Sequence, residues 1–164
     1  MKKKKFGTII VDLPDPSHPD LNKLYSRGFY KIINRLLTDD GAIVIQSTSP
    51  YFAKDAFIAI KKTLEAAGFK GAEQYHTNVP TFGEWGWTIA KKNNESPLEI
   101  LKSLDELKIN KDWINKGIIL GSFYFGNNYY NEYEEIEVNT LGSQSIYNYY
   151  TFYNKIVGSH ASVN

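Results

Sequence analysis

Near the amino end an apolar run, Phe6 with Ile9, Ile10 and Val11, halts at Asp12-Leu13-Pro14-Asp15-Pro16-Ser17-His18-Pro19. Proline fixes φ and removes a backbone donor, so three of them in that stretch forbid regular structure. The chain therefore reads as a buried strand that empties into a rigid, polar loop. A helix comes next. Leu24, Phe29, Ile32, Ile33, Leu36 and Leu37 recur at helical spacing, with Ser26 as N-cap and Asp39-Asp40-Gly41 closing the element. Then the pattern repeats: an apolar strand from Ala42 to Ile45 ends at Gln46-Ser47-Thr48-Ser49-Pro50, and an amphipathic helix from Lys54 to Ala67 stops at Gly68. Strand, loop, helix, twice over, calls for parallel strands joined by right-handed crossovers, with functional loops at the strands' carboxyl ends. Asp12 and Gln46 stand at those ends.

Two further strand-like pieces, Glu73 to Asn78 and Trp85 to Ala90, flank a Pro/Gly connection suited to an antiparallel return. Trp85 and Trp87 lie on either side of Gly86 and are expected on opposite faces of their strand, with at least one in the core. Beyond a polar linker, Lys91 to Pro97, come two helix candidates, Pro97 to Leu107 and Asp112 to Ile119. A Tyr/Asn-rich tail from Tyr124 to Tyr153 follows, which reads as packing or interface surface. No repeat at a solenoid period is present. The first strand, Thr8 to Val11, is left with an open hydrogen-bonding edge, a liability that further strands normally cover. The expectation is that another chain covers it, or that the sequence is the second half of a larger doubly wound α/β domain.

Composition narrows the chemistry. The 164 residues carry 19 Lys plus Arg against 18 Asp plus Glu, so no general electrostatic hold on nucleic acid or anionic lipid is expected. The basic run Lys2 to Lys5 has no cleavage site or long apolar stretch behind it, and no segment reaches the roughly 20 apolar residues of a membrane span. These features point to the cytoplasm. Without cysteine there is no disulfide, thiol nucleophile or thiolate metal site, and His18, His76 and His160 lack ligand-like spacing. The densest polar group is Asp12, Asp15 and Gln46, with Tyr25, Tyr75 and Phe82 as aromatic walls. Two carboxylates near one crevice suit a cationic ligand. With an amine, one takes a proton from the attacking nitrogen while the other holds a distant ammonium. The same residues allow plainer roles: Asp12 and Asp15 as caps of the turn and helix, Gln46 as a satisfied amide at a strand end, or a carboxylate-bound magnesium ion.

Phe6 to Pro16, Leu24 to Tyr30, Gly41 to Gln46, Val79 to Phe82 and Gly86-Trp87 together resemble the C-terminal half of the polyamine aminopropyltransferases, the spermidine synthase family. The likeness is in particular to the bacterial branch in which this domain is fused to a membrane-spanning region. It runs from Phe6 to Ala90 and, for that branch, through Asn139 to Ser143. The resemblance implies a Rossmann-like, methyltransferase-type doubly wound sheet ending in an antiparallel hairpin. It also implies transfer of an aminopropyl group from decarboxylated S-adenosylmethionine to putrescine, giving spermidine and methylthioadenosine, without metal or further cofactor. By the same resemblance Asp12 is the catalytic proton acceptor, and Asp12 with Leu13 meets the nucleoside. Asp15, Gln46 and Phe82 bind the diamine, Phe82 standing where many members have a tyrosine. The family's glycine-rich nucleotide loop and ribose-binding acidic residue precede the segment matched by Phe6. Residues 1–92 are accordingly expected to form the C-terminal half of the catalytic domain and residues 93–164 an extension packed on it. A homo-oligomer or a complementing N-terminal half would complete the site, with membrane association if that half spans a membrane. The competing expectation is a non-catalytic remnant that pairs with a full-length homologue through its open edge.

Overall fold

A computed structural model describes residues 4–108 and 112–152. Lys2, Lys3, Tyr153 and His160 lie outside the described residues. The elements are β1 (Phe6–Val11), a 3-10 helix (Pro19–Tyr25), α1 (Arg27–Leu36), β2 (Leu37–Gln46), α2 (Lys54–Ala66), β3 (Gly71–Val79), β4 (Gly83–Lys91), α3 (Pro97–Ser103) and α4 (Lys116–Ser122). A 3-10 turn at Tyr133–Glu135 follows, and residues 145–152 are helical.

The four strands form one open sheet in the order β1-β2-β4-β3. β1 and β2 are parallel, with Ile10 opposite Val44 and Val11 opposite Ile45, as two strand-helix units require. β4 enters antiparallel beside β2, and β3 and β4 form a hairpin in which Tyr75 faces Trp87. Thr81 and Gly83 take positive φ in its turn. β1 and β3 are the edges of this sheet, and β1 is largely exposed instead of buried because only β2 flanks it among the described residues.

Alternation along the strands divides the sheet into two unlike faces. Ile43, Ile45, Ala72 and Ala90 are buried on one face beneath α1 and α2. Gly86 belongs to this face for a steric reason: a Cβ there would lie 2.3 Å from Phe57 Cε2, so the α2 ring packs directly on the β4 backbone. The other face carries Ile10, Val44, Gln46, Tyr75, Trp85 and Trp87, and α3 and α4 cover only its β3 side and the adjoining part of β4. Ser96 and the Leu98 amide donate to Glu73, which ties the start of α3 to β3.

Several boundaries differ from the sequence reading. Pro19 opens a 3-10 turn instead of excluding regular structure, and α1 begins only after Ser26, whose Oγ accepts from the Phe29 amide as a true N-cap. Asp39, Asp40 and Gly41 do not close α1. They belong to an irregular start of β2, where the register against β1 shifts. The two carboxyl-terminal helices are shorter or displaced, at Pro97–Ser103 and Lys116–Ser122. Trp85 and Trp87 share one face, because residues two apart in a strand point the same way, and neither is buried. In the tail, Tyr129, Ile136 and Ile146 join the same apolar cluster as α1 and α2. Asn139 is buried there, its Nδ2 donating to the carbonyls of Asn22 and Tyr25.

Candidate active site

The partly bare sheet face and the loop after β1 enclose a groove of about 890 Å³. Its floor is Ile10, Val44 and Gln46, its far wall is Tyr75, Trp85 and Trp87, and its near wall is Asp12 to Asp15. Tyr75 and Trp87 are stacked, with centroids 5.6 Å apart and planes 17° from parallel, so they form one aromatic surface. Phe82 stands at the rim, 66% exposed, 5.7 Å from the Trp85 ring. The groove opens at the carboxyl ends of the parallel strands, where an α/β sheet takes its ligands.

Asp12, directly after the last β1 residue, is exposed at this opening, and its carboxylate makes no hydrogen bond among the described residues. Asp15 is held firmly. Its Oδ1 accepts from Gln46 Nε2 at 2.7 Å and its Oδ2 from the Tyr150 hydroxyl at 2.9 Å. Neither carboxylate is a helix cap: the 3-10 helix is capped by His18 Nδ1 and α1 by Ser26. Since Gln46 turns its nitrogen to Asp15, its oxygen is left facing Tyr25, whose hydroxyl lies 3.2 Å from Gln46 Oε1 and 2.8 Å from the Pro14 carbonyl. One phenolic proton serves both acceptors, and the proline loop is thereby pinned to the end of β2. Burial foremost, then the Asp15, Asp12 and Tyr150 neighbours, push the Tyr25 phenol well above its ordinary value, so it remains a neutral donor.

The structure thus brings Asp12, Leu13, Asp15, Gln46 and Phe82 to one groove. Tyr75 is a wall, but Tyr25 is not: fully buried, it supports the loop from beneath. Tyr150 was not foreseen. It lies 135 positions after Asp15, in a tail whose many tyrosines look alike in sequence, and only its helical spacing of four from the buried Ile146 hints that it faces inward. Chemically, the groove offers two unequal carboxylates, one exposed and one hydrogen-bonded, against an aromatic wall. That arrangement attracts a cationic ligand and gives a proton on it somewhere to go.

Comparison with known proteins points to one family. The family described as spermine/spermidine synthase domain matches residues 1–102. A polyamine aminopropyltransferase of Shewanella oneidensis is 50% identical over 149 residues, which cover 91% of this chain and 26% of that protein. Polyamine aminopropyltransferase 1 of Streptomyces coelicolor is 40% identical over 95 residues, covering 58% of this chain and 18% of the relative. Among solved structures, spermidine synthase from Thermotoga maritima superposes with a TM-score of 0.62 at 21% identity, over 81% of this chain and 45% of that one. A spermidine synthase in complex with the transition state analogue AdoDATO gives 0.60 at 19% identity, over 81% and 44%. The chain therefore spans about a quarter or less of these curated relatives and under half of the solved structures.

Proposed function

From the premise that this chain belongs to the spermine/spermidine synthase family, we propose that its groove is the acceptor side of an aminopropyl transfer site. The donor is decarboxylated S-adenosylmethionine, the acceptor putrescine, and the products spermidine and methylthioadenosine. One observation carries the reading: an exposed Asp12 and a hydrogen-bonded Asp15 share a groove with an aromatic wall at the carboxyl ends of β1 and β2. A diamine nitrogen with an amine pKa near 10.4 is largely protonated at neutral pH, so the attacking end has to lose a proton while the other keeps its charge. Asp15 and Gln46 hold the charged end. The free amine's lone pair attacks the propyl carbon beside the sulfonium. The carbon–sulfur bond breaks and its electron pair returns to sulfur, leaving a neutral thioether. Asp12 is the acceptor of the proton that the attacking end loses, and the new secondary nitrogen keeps its two protons as an ammonium. Leu13, beside Asp12, meets the nucleoside, and Phe82 supplies an apolar rim to the diamine's methylene chain.

The same reading takes residues 1–92 as the catalytic part and 93–164 as an extension, with no cofactor beyond the donor itself. A second copy or a complementing segment completes the nucleoside side. No helix among the described residues is long and apolar enough to cross a membrane. The reading puts the reaction in the cytoplasm, with membrane association only through a membrane-spanning companion region.

Titration of the chain with putrescine by calorimetry, beside a transfer assay with the donor, tests this. Putrescine binding is expected, with Asp15→Ala weakening it. Asp12→Asn should leave binding intact while lowering the transfer rate by about 10²- to 10⁴-fold, the usual worth of a general base. A chain that ignores putrescine, or an Asp12→Asn variant that transfers at the parent rate, overturns the proposal.

A second reading rests on the β1 edge. Ile10 is 75% exposed on a strand whose outer edge pairs with no other strand among the described residues, which suits strand addition by a full-length homologue. Complex formation with such a homologue that survives Asp12→Asn, with no transfer by the chain itself, would favour it.

A further inference from the structure

Asp15 has a partner that comes from the far end of the chain. The Tyr150 hydroxyl donates to its Oδ2 at 2.9 Å, while Gln46 Nε2 donates to Oδ1 at 2.7 Å. Donors on both oxygens fix the rotation of the carboxylate. Each oxygen still has accepting capacity left for a ligand. The chemical type of the second donor matters. A lysine or arginine there would cancel the carboxylate's charge, whereas a phenol orients the group and leaves the charge to be met by a cation.

Tyr150 is itself well held. It lies four residues after the fully buried Ile146 within helical residues 145–152, so both project from one side of that helix. The Ile146 amide donates to Asn139 Oδ1, and the Tyr147 amide donates to Asn22 Oδ1, each at 3.4 Å. Asn139 in turn donates to the carbonyls of Asn22 and Tyr25, and the Tyr25 hydroxyl reaches Gln46. The tail is therefore anchored to the 3-10 helix that follows the Asp15 loop and reaches the Asp15 carboxylate from there. Across the groove, Phe82 has no hydroxyl to contribute.

We propose that Tyr150 is a positioning residue for diamine recognition: through Asp15 it sets the preference of the groove for a diamine over a monoamine of the same length. The proposal rests on the aminopropyl transfer reading and gives the carboxyl-terminal segment a part in acceptor choice. A monoamine presents no distal ammonium to Asp15, so the orientation of that carboxylate matters only to the diamine.

The test is calorimetric titration of the whole chain with putrescine and with n-butylamine, in the parent and in Tyr150→Phe, Asp15→Ala, the double variant and Tyr149→Phe. Thermal melts accompany each. Tyr149 is the control, since its hydroxyl accepts from the Glu137 amide outside the groove. Tyr150→Phe is expected to weaken putrescine about three- to tenfold, the worth of one hydrogen bond, and to leave n-butylamine unchanged. Tyr149→Phe is expected to change neither. In the Asp15→Ala background, Tyr150→Phe should have no further effect, an outcome that a general packing role would not produce. If Tyr150→Phe keeps the parent's preference while Asp15→Ala loses it, the positioning role is overturned and the transfer reading stands. If the parent shows no preference for putrescine, or Asp15→Ala retains it, the transfer reading fails and takes this inference with it.

Discussion

Two tyrosines five positions apart, both wholly excluded from solvent, should respond in opposite directions to the same substitution. The Tyr25 hydroxyl donates toward the Pro14 carbonyl at 2.8 Å, with Gln46 Oε1 at 3.2 Å. The Tyr30 hydroxyl has no hydrogen-bond partner among the described residues. Each Tyr→Phe change deletes one oxygen and keeps the ring. At Tyr25 it removes a bond and strands buried acceptors, a cost of about 1–3 kcal/mol. At Tyr30 it relieves a desolvated hydroxyl, so the change is expected to be neutral or stabilising by about 1 kcal/mol. For a chain of this size about 1 kcal/mol moves Tm by roughly 2–4 °C, so Tyr25→Phe should melt about 2–12 °C below the parent and Tyr30→Phe at or above it. Calorimetric melts at neutral pH read both. Equal losses at the two sites would refute the reasoning, since burial alone would then account for both.

An alkaline titration sharpens the contrast. Burial foremost, with Asp15, Asp12 and Tyr150 adding to it, holds the Tyr25 phenol above the value near 10 that it has in the unfolded chain. Its contribution to stability is therefore complete below about pH 10 and declines as pH rises beyond that, because the unfolded state ionises first. Tyr25→Phe should lose less stability than the parent between about pH 9 and 11.

Other substitutions probe the scaffold behind the groove. Gly86→Ala places a methyl group 2.3 Å from the Phe57 ring and should cost about 1–3 kcal/mol, seen as a lower denaturant midpoint with an unchanged slope. Asn139→Ala leaves the carbonyls of Asn22 and Tyr25 without their buried donor. A loss of about 2–4 kcal/mol is expected, together with faster proteolysis within the tail, and unchanged cleavage would show that the tail is anchored elsewhere.

Local chemistry made much of this protein legible from its residues. The apolar run ended by Asp12 and the prolines, the Ser26 cap and the Gly68 stop define strand-loop-helix units whatever the rest of the chain does. Two such units in succession oblige β1 and β2 to be parallel, with Asp12 and Gln46 at their carboxyl ends. Other features depended on contacts between distant segments. Asp39 to Gly41 looked like a helix stop, yet pairing with β1 drew them into β2. The orientation of Trp85 and Trp87 was open to correction by strand geometry alone, but their exposure follows from α3 and α4 covering only part of that face. Tyr25 appeared suited to a wall and became a buried support, because the proline loop folds back over it. The clearest case is Tyr150. A hydroxyl meets a carboxylate 135 residues away only after Asn139 and Ile146 have seated the tail against α1, and no periodicity encodes a bond that long in sequence. Short-range propensity therefore determined the elements and the position of the carboxylates, while packing of remote segments decided which side chains hold them in place.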